Sequence, residues 1–586
     1  MVEKAWGSKG HADVPAPGQG GNVAIDYPDW PNLPTMLFDR ARIWRDRTLF
    51  RAFRDGAWRS LTWGEVARQA AGLAATLRAE GISPGDRVLI VSENRPEFAV
   101  AELAVMAIQA IPVPTYTTNT VADHAHILRD SGARVAIVST PALAAKLREA
   151  GPPELLITME ASDGAGLSWA EAVAAEADLP LLMAEAAIIP PEALACLIYT
   201  SGTGGAPKGV MLPHRALLTN CRGARKLLAP LLGEGETYLS FLPLSHSYEH
   251  LVGLYFLPSI GTEVVFARGT EHLAADMLAV RPTVMTAVPR IFEVIRTRIL
   301  AGVGRQPAWK QALFHRALAI GLKRVRGARR GPVDMAIDPV LERLVRRDVR
   351  ARFGGRLKGI MSGGGRLDPD VGRFFLALGL PIMQGYGQTE AGPVISANPP
   401  FGIRIDTVGL PLDGVEVRIA EDGEICVRGG LVMHGYWNNP DATEAAIRDG
   451  WLHTGDVGVL DADGYLRITD RKKDFIKTSG GDMVSPARVE GVLMQQPEIA
   501  QAVVAGDGRA HLVALVVAQP DMDETAVTLG VDRANKMLSV TERVRRWRLV
   551  EPFTVENGGL TSTQKLRRAA ILAQHVEAVA AMYRQG

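Results

Sequence analysis

What this chain has little of narrows it first. Its three cysteines, Cys196, Cys221 and Cys426, are odd in number and far apart. Neither a disulfide framework nor a zinc cluster is expected from them, and a reducing compartment is. Net charge is almost absent, at +1, which excludes a strongly charged partner such as nucleic acid for the chain as a whole. Long hydrophobic runs are missing too. The most apolar stretch, residues 98–114, carries Glu102 and Gln109 and ends in prolines, too short and too polar to span a bilayer. Residues 1–22 are polar and rich in Gly and Pro, without the apolar centre of a signal peptide. A soluble cytoplasmic protein is expected, with peripheral contact to the inner face of a membrane left open.

What is there is a chain of 586 residues, too long for one ordinary core. Residues 1–27 read as a disordered arm. From residue 61 onward helical and strand patterns alternate. Residues 62–80 form an amphipathic helix with Thr62 as N-cap, Glu65 completing the capping box and Gly81 as the stop. Strands at 87–91, 111–114 and 134–138 enclose helices at 97–110 and 121–131. That order of strand, helix and strand indicates a mostly parallel sheet. A helix is expected at 214–228 and a strand at 237–242. A basic helical insertion spans 305–356, broken by Gly331-Pro332. Between Lys323 and Lys358 it sets twelve Lys/Arg against Asp334, Asp338, Glu342 and Asp348. From 407 the texture changes to short strands with Gly, Asp and Asn turns, and from 471 helices and strands mix again.

The expected architecture is therefore α/β. A large N-terminal domain, 28–470, consists of an α/β core at 28–406 and a β-rich subdomain at 407–470. A small α+β domain follows at 471–586.

The central stretch is Tyr199-Thr200-Ser201-Gly202-Thr203-Gly204-Gly205-Ala206-Pro207-Lys208-Gly209. It follows the apolar run 194–198. Glycines let backbone N–H groups turn toward an anion, hydroxyls add donors or a metal ligand, and Lys208 supplies a point charge. This is what a phosphate cradle needs, although a flexible turn between two strands would look the same in isolation. It is not the usual P-loop, because Lys208 lies between Pro207 and Gly209. Further loops at strand ends carry unusual residues, which is where open α/β sheets bind ligands. Gly385-Tyr386-Gly387-Gln388-Thr389-Glu390 offers glycines for a tight turn, a flat ring, a hydroxyl and a hard oxygen for Mg²⁺. As a bare strand-to-helix turn it would need no ligand at all. Gly363, Gly364 and Gly365 could wall a base slot. Asp456, after Gly455, could hold two ribose hydroxyls or simply cap a turn. The charged run 470–474 and the segment 560–568 around Lys565 would by default be solvated surface.

In this order, from about Trp63 to Arg568, these segments resemble the adenylate-forming enzymes: acyl-CoA synthetases, adenylation domains of peptide synthetases and firefly luciferase. The family signature Tyr-Thr-Ser-Gly-Thr-Thr-Gly-x-Pro-Lys-Gly matches residues 199–209, except that Gly204 replaces the second threonine. The resemblance implies that Thr200, Ser201, Gly202, Thr203, Gly204 and Lys208 hold the triphosphate, and that Thr200 and Glu390 ligate Mg²⁺. It implies an adenine slot of Gly363, Gly364, Gly365, Gly385, Tyr386 and Gly387, with Thr389 on the α-phosphate. Asp456 and Arg471 would hold the ribose. Lys473 would be the hinge about which a mobile C-terminal domain turns, and Lys565 the lysine that bridges carboxylate and α-phosphate.

Three features resemble the long-chain fatty acid branch: the segment 242–249, Val288-Pro289-Arg290-Ile291-Phe292-Glu293, and the basic insertion. His246 and His250 fall in or beside the first and are assigned to the acyl pocket. The implied activity uses ATP, Mg²⁺ and coenzyme A to convert a fatty acid first to acyl-AMP and then to acyl-CoA. Two rivals share the motifs, a fatty acyl-AMP ligase loading a carrier protein and a catalytically silent nucleotide or acyl sensor. A homodimer is compatible with all three.

Overall fold

A computed structural model describes residues 26–160, 166–200, 206–472, 476–480, 482–554, 556–560 and 566–584. Local chemistry fixes many element ends. Thr62 caps the helix Trp63–Ala79 and Glu65 returns the bond to the Thr62 amide, a reciprocal cap contributing about 1 kcal/mol. Thr120 and Asp123 do the same for Val121–Ser131, which Gly132 ends in the left-handed conformation. Gly331 and Pro332 restart the chain as the helix Pro332–Leu341 inside the basic insertion, as their order in sequence anticipates.

Two sheets carry the α/β core. One has five strands, all parallel, in the order Ile111–Thr115, Arg87–Val91, Val135–Val138, Leu155–Thr158 and Leu167–Ser168. Its central strands are buried from end to end or nearly so, hence their uninterrupted apolar sequences. The other has nine strands. Its middle runs Ile382–Gly387, Gly359–Ser362, Val284–Ala287, Thr237–Ser240, Glu263–Phe266 and Thr48–Arg54, all parallel. Antiparallel strands close both edges. The helix Pro289–Gly304 and the insertion helices Ala308–Val325 and Pro332–Leu341 share a core with this sheet and with the helix Pro369–Ala377, built from Phe292, Phe314, Phe374 and Phe375.

The β-rich section forms an antiparallel sheet of Val415–Ile419, Glu424–Gly429, Trp451–Leu460, Ile447–Arg448 and Leu466–Arg471. Beyond it, Ile499–Ala505, Leu512–Ala518 and Val544–Leu549 make a three-stranded sheet covered by helices. This is the α/β architecture expected, with a large N-terminal and a smaller C-terminal unit. Cys196, Cys221 and Cys426 are free and buried. Among the described residues no helix is long and apolar enough to cross a membrane.

Candidate active site

The glycine-rich stretch joins two antiparallel strands. Leu194–Thr200 pairs with Lys208–Pro213, and Thr200 lies opposite Lys208. The helix His214–Leu228 starts only after the second strand. Ser201, Gly202, Thr203 and Gly204 lie outside the described residues, as do Lys473 and Lys565. The hairpin is pinned from both sides. The Tyr199 hydroxyl donates to Asp130 at 2.6 Å, and the Trp437 amide donates to the Gly209 carbonyl at 2.7 Å. Lys208 is exposed, with Nζ 5.0 Å from the centre of the Tyr436 ring. The Tyr436 hydroxyl donates to Glu390 Oε1 at 2.9 Å. One aromatic ring therefore spans the lysine and the carboxylate.

Glu390 lies on the short helical turn Thr389–Ala391, directly after the strand Ile382–Gly387. The structure corrects one expectation here. Gly385 and Gly387 do not make a tight turn; both lie within that extended strand. A Cβ on Gly387 would fall 1.8 Å from the Pro393 carbonyl oxygen, and one on Gly385 3.3 Å from that of Ser396. These glycines admit the returning strand Val394–Ala397, a use of glycine that backbone-to-backbone approach demands.

Tyr386, between them, is buried and donates its hydroxyl to Asp456 Oδ2 at 2.7 Å. Arg471 Nε donates to Asp456 Oδ1 at 3.1 Å. Burial, reinforced by the Asp456 charge, pushes the Tyr386 phenol up, so it remains a donor. Asp456 is aimed by a bulge. Glu424 lies opposite Val457 and Cys426 opposite His453, so Thr454-Gly455-Asp456 face the single residue Ile425, with Gly455 in the left-handed region at φ 72°. Bulges of this kind re-aim side chains.

Gly363, Gly364 and Gly365 follow the strand Gly359–Ser362, the parallel neighbour of Ile382–Gly387. A Cβ on Gly363 would meet the Tyr248 ring at 2.9 Å, so this glycine seats Tyr248 closely. Gly364 has φ 76°, and a Cβ on Gly365 would reach no nearer than 3.6 Å to Pro289. Ser247 and Thr389 hydroxyls are 2.9 Å apart, tying the segment 243–250 to the same strand end. His246 is half-buried and its Nδ1 accepts from the Tyr248 amide. His250 is separate: it is fully buried, bonded through Nδ1 to the Leu244 carbonyl and 3.5 Å from the Tyr255 hydroxyl. Burial drives its pKa down to about 4, so it is neutral. The structure thus links Lys208 and Glu390 through Tyr436, bonds Tyr386, Asp456 and Arg471 in series, pairs Thr389 with Ser247, and leaves His250 in a polar pocket of its own with Tyr255 and Glu102.

Sequence reasoning missed three contributors. Tyr436 links Lys208 to Glu390. Glu424, 4% exposed, accepts from the Gly455 amide at 2.9 Å, His453 Nδ1 at 3.0 Å and Lys472 Nζ at 2.9 Å. Burial alone would raise the Glu424 carboxyl; the bonds from His453, Lys472 and Gly455 outweigh it and hold it below the ordinary range. Glu424, Cys426 and His453 each place one ligand atom within 4.8 Å of the others, but Lys472 already supplies the positive charge. Glu249 was quoted only as part of its segment. It is fully buried and accepts from Tyr238, Ser240 and Thr286. Only Glu424 left a visible trace, as a carboxylate beside Gly423 at the start of the apolar strand 424–429.

The donor set fits a magnesium nucleotide. Glu390 gives a hard carboxylate oxygen, Thr200 a hydroxyl, and Ser362, buried beside the glycines, has an Oγ with no partner among the described residues. Residues 37–437 match the family described as AMP-binding enzyme, and residues 473–586 the AMP-binding enzyme C-terminal domain. The long-chain-fatty-acid–CoA ligase FadD15 of Mycobacterium tuberculosis (strain ATCC 25618 / H37Rv) is 33% identical, over 94% of this chain and 97% of its own. Long chain acyl-CoA synthetase 6, peroxisomal, of Arabidopsis thaliana is 29% identical, over 90% of this chain and 82% of its own. In fold the chain is similar to ATP-bound MatB from Rhodopseudomonas palustris, with TM-score 0.71 and 23% identity over 94% of this chain and 100% of that one. It is also similar to the O-succinylbenzoate coenzyme A synthetase MenE of Bacillus subtilis in complex with AMP, with TM-score 0.69 and 23% identity over 92% and 97%.

Proposed function

The chain belongs to the AMP-binding, adenylate-forming enzymes, and from that premise we propose that it activates a long-chain fatty acid with ATP and passes it to coenzyme A. A carboxylate is a poor electrophile, so it must first carry a better leaving group than hydroxide. Attack of the fatty carboxylate on the α-phosphorus of ATP forms the acyl–phosphate bond and releases pyrophosphate. The obstacle is repulsion between anions. Lys208 and Lys565 offset it, and Mg²⁺, held by Thr200 and Glu390, adds charge neutralisation on the phosphates.

In this reading Tyr386 presents its ring to adenine, Gly363 to Gly365 wall the slot, and Asp456 with Arg471 holds the ribose. Thr389 donates to the α-phosphate and residues 200–204 grip the pyrophosphate. His246 and His250 belong to the acyl side. The C-terminal unit from 471 then turns about Lys473, withdrawing Lys565 and opening the path for the thiol of coenzyme A. Its attack on the acyl carbonyl breaks the bond to AMP. The protein supplies position and charge throughout. The reading also places the protein in the cytoplasm, with its basic insertion toward a membrane.

One observation supports this most directly: Tyr386, Asp456 and Arg471 are bonded in series, one strand end away from Glu390, Tyr436 and Lys208. ATP–pyrophosphate exchange across acids from acetate to oleate tests it, with exchange expected to rise toward the long acids. AMP release should then require coenzyme A. Exchange without any response to coenzyme A would indicate a carrier protein as acceptor, and no exchange with any acid would leave a silent binder.

A further inference from the structure

Two opposite charges of the candidate site share a neighbour and do not meet. Lys208 and Glu390 both reach Tyr436, yet they form no ion pair with one another. The Lys208 ammonium stands over the Tyr436 ring, 5.0 Å from its centre, where the negative face of the ring attracts a cation. Glu390 Oε1 accepts the Tyr436 hydroxyl at 2.9 Å, and among the described residues nothing donates to its Oε2. Glu390 and Tyr436 are half-buried, so charges here are screened less than in bulk water. A lysine on its flexible stem and a carboxylate held around one ring would otherwise close on each other.

The backbone fixes Tyr436 to both neighbours. Gly435–Tyr436 pairs antiparallel with the strand that begins at Lys208, Tyr436 lying opposite Val210. Three residues earlier, the Met433 amide donates to the carbonyl of Glu390 itself at 3.0 Å. On the far side the Trp437 indole donates to the Asp130 carbonyl at 3.0 Å, and the Tyr436 amide donates to Thr443 Oγ1 at 2.8 Å. A ring anchored on both sides has little freedom to leave the space between lysine and carboxylate.

We propose that Tyr436 is a positioning residue that insulates Lys208 from Glu390. Its ring face keeps the ammonium available for phosphates, and its hydroxyl keeps the carboxylate turned for a divalent cation. The inference rests on the proposed function, because it gives Tyr436 a task in the nucleotide site of that reading. Were the two charges paired, an incoming nucleotide would have to break an ion pair before it could use either group.

ATP binding, measured by calorimetry on the full-length protein with Mg²⁺ and again with EDTA, tests this without relying on turnover. In Tyr436→Leu the charges should pair, and affinity for metal-free ATP should fall about tenfold. Glu390→Gln removes the acidic half of that pair. It should therefore raise metal-free affinity about tenfold more in Tyr436→Leu than in the wild type, a coupling that simple loss of packing does not produce. Tyr436→Phe keeps the ring and loses the hydroxyl. It should lose less metal-free affinity than Tyr436→Leu, while the Mg²⁺ concentration for half-maximal ATP binding rises about tenfold. Equal gains from Glu390→Gln in both backgrounds overturn the proposal, as does a Tyr436→Leu protein that binds metal-free ATP like the wild type. A wild type that binds no ATP in either condition overturns the functional reading itself, before any variant is made.

Discussion

At the scale of single residues, the buried carboxyl of Glu249 has a consequence that can be measured. It is fully enclosed, and burial raises its pKa from 4.5 to about 7 even though Ser240, Tyr238 and Thr286 donate to it and pull the other way. Unfolding returns it to an ordinary carboxyl. Between these two values the folded protein therefore binds more protons than the unfolded chain, and stability falls as pH rises. The contribution is fully present below about pH 4.5 and is lost as pH passes about 7. At about 1.4 kcal/mol per pH unit this is about 3 kcal/mol. Glu102, raised to about 8 by burial, acts in the same direction.

Glu249→Gln keeps the shape and removes the titration. Its melting temperature should vary less than that of the wild type between pH 5 and pH 7.5, and the two curves should converge at the acidic end. Parallel curves would show that Glu249 does not titrate in that window. None of this was legible in the sequence, where Glu249 stood among polar neighbours as one residue of a recognisable segment. Gly387 teaches the same point from the other side. Its motif was visible, but its reason, the carbonyl of Pro393 where a Cβ would be, is a contact made only after the strands pair.

At the scale of elements, local signals were read well and long-range pairings were not. The capping box of Thr62 and Glu65 and the span of the helix His214–Leu228 follow from side chains a few residues apart. The bulge that carries Asp456 follows from the pairing of Glu424–Gly429 with Trp451–Leu460, which no neighbour in sequence announces. Glu424 is the peg of that bulge, because it bonds the Gly455 amide and holds Lys472, two residues past Asp470, against the same sheet. Glu424→Gln should keep one acceptor for Gly455 and lose the charge that Lys472 and His453 meet, at a cost of about 1–3 kcal/mol. The ribose clamp proposed for Asp456 and Arg471 would loosen with it. In exchange kinetics the KM for ATP should rise about tenfold, corresponding to about 1.4 kcal/mol, while the KM for the acid stays unchanged. Equal changes in both, or none, would reduce Glu424 to a structural residue.

At the scale of the whole molecule, the class of fold was legible because alternating helix and strand patterns leave few topologies for a chain of this length. Its division of labour is the part that needs experiment. Lys208 and Glu390 belong to the large unit, whereas Lys565 follows the three-stranded sheet of the small one by sixteen residues of sequence after Leu549. If the small unit turns about Lys473 between the two half-reactions, Lys565 is needed in the first and idle in the second. Lys565→Ala should then lower acyl-AMP formation, measured as ATP–pyrophosphate exchange, by a factor of about 10² to 10³, the scale of losing one electrostatic contact to a transition state. Thioester formation from supplied acyl-AMP and coenzyme A should remain close to the wild-type rate. Lys473→Pro, which restricts the backbone at the turning point, should show the reverse pattern, with exchange retained and thioester formation slowed. A uniform loss in both steps for both variants would mean that Lys565 and Lys473 hold the protein together instead of serving alternate halves of one cycle.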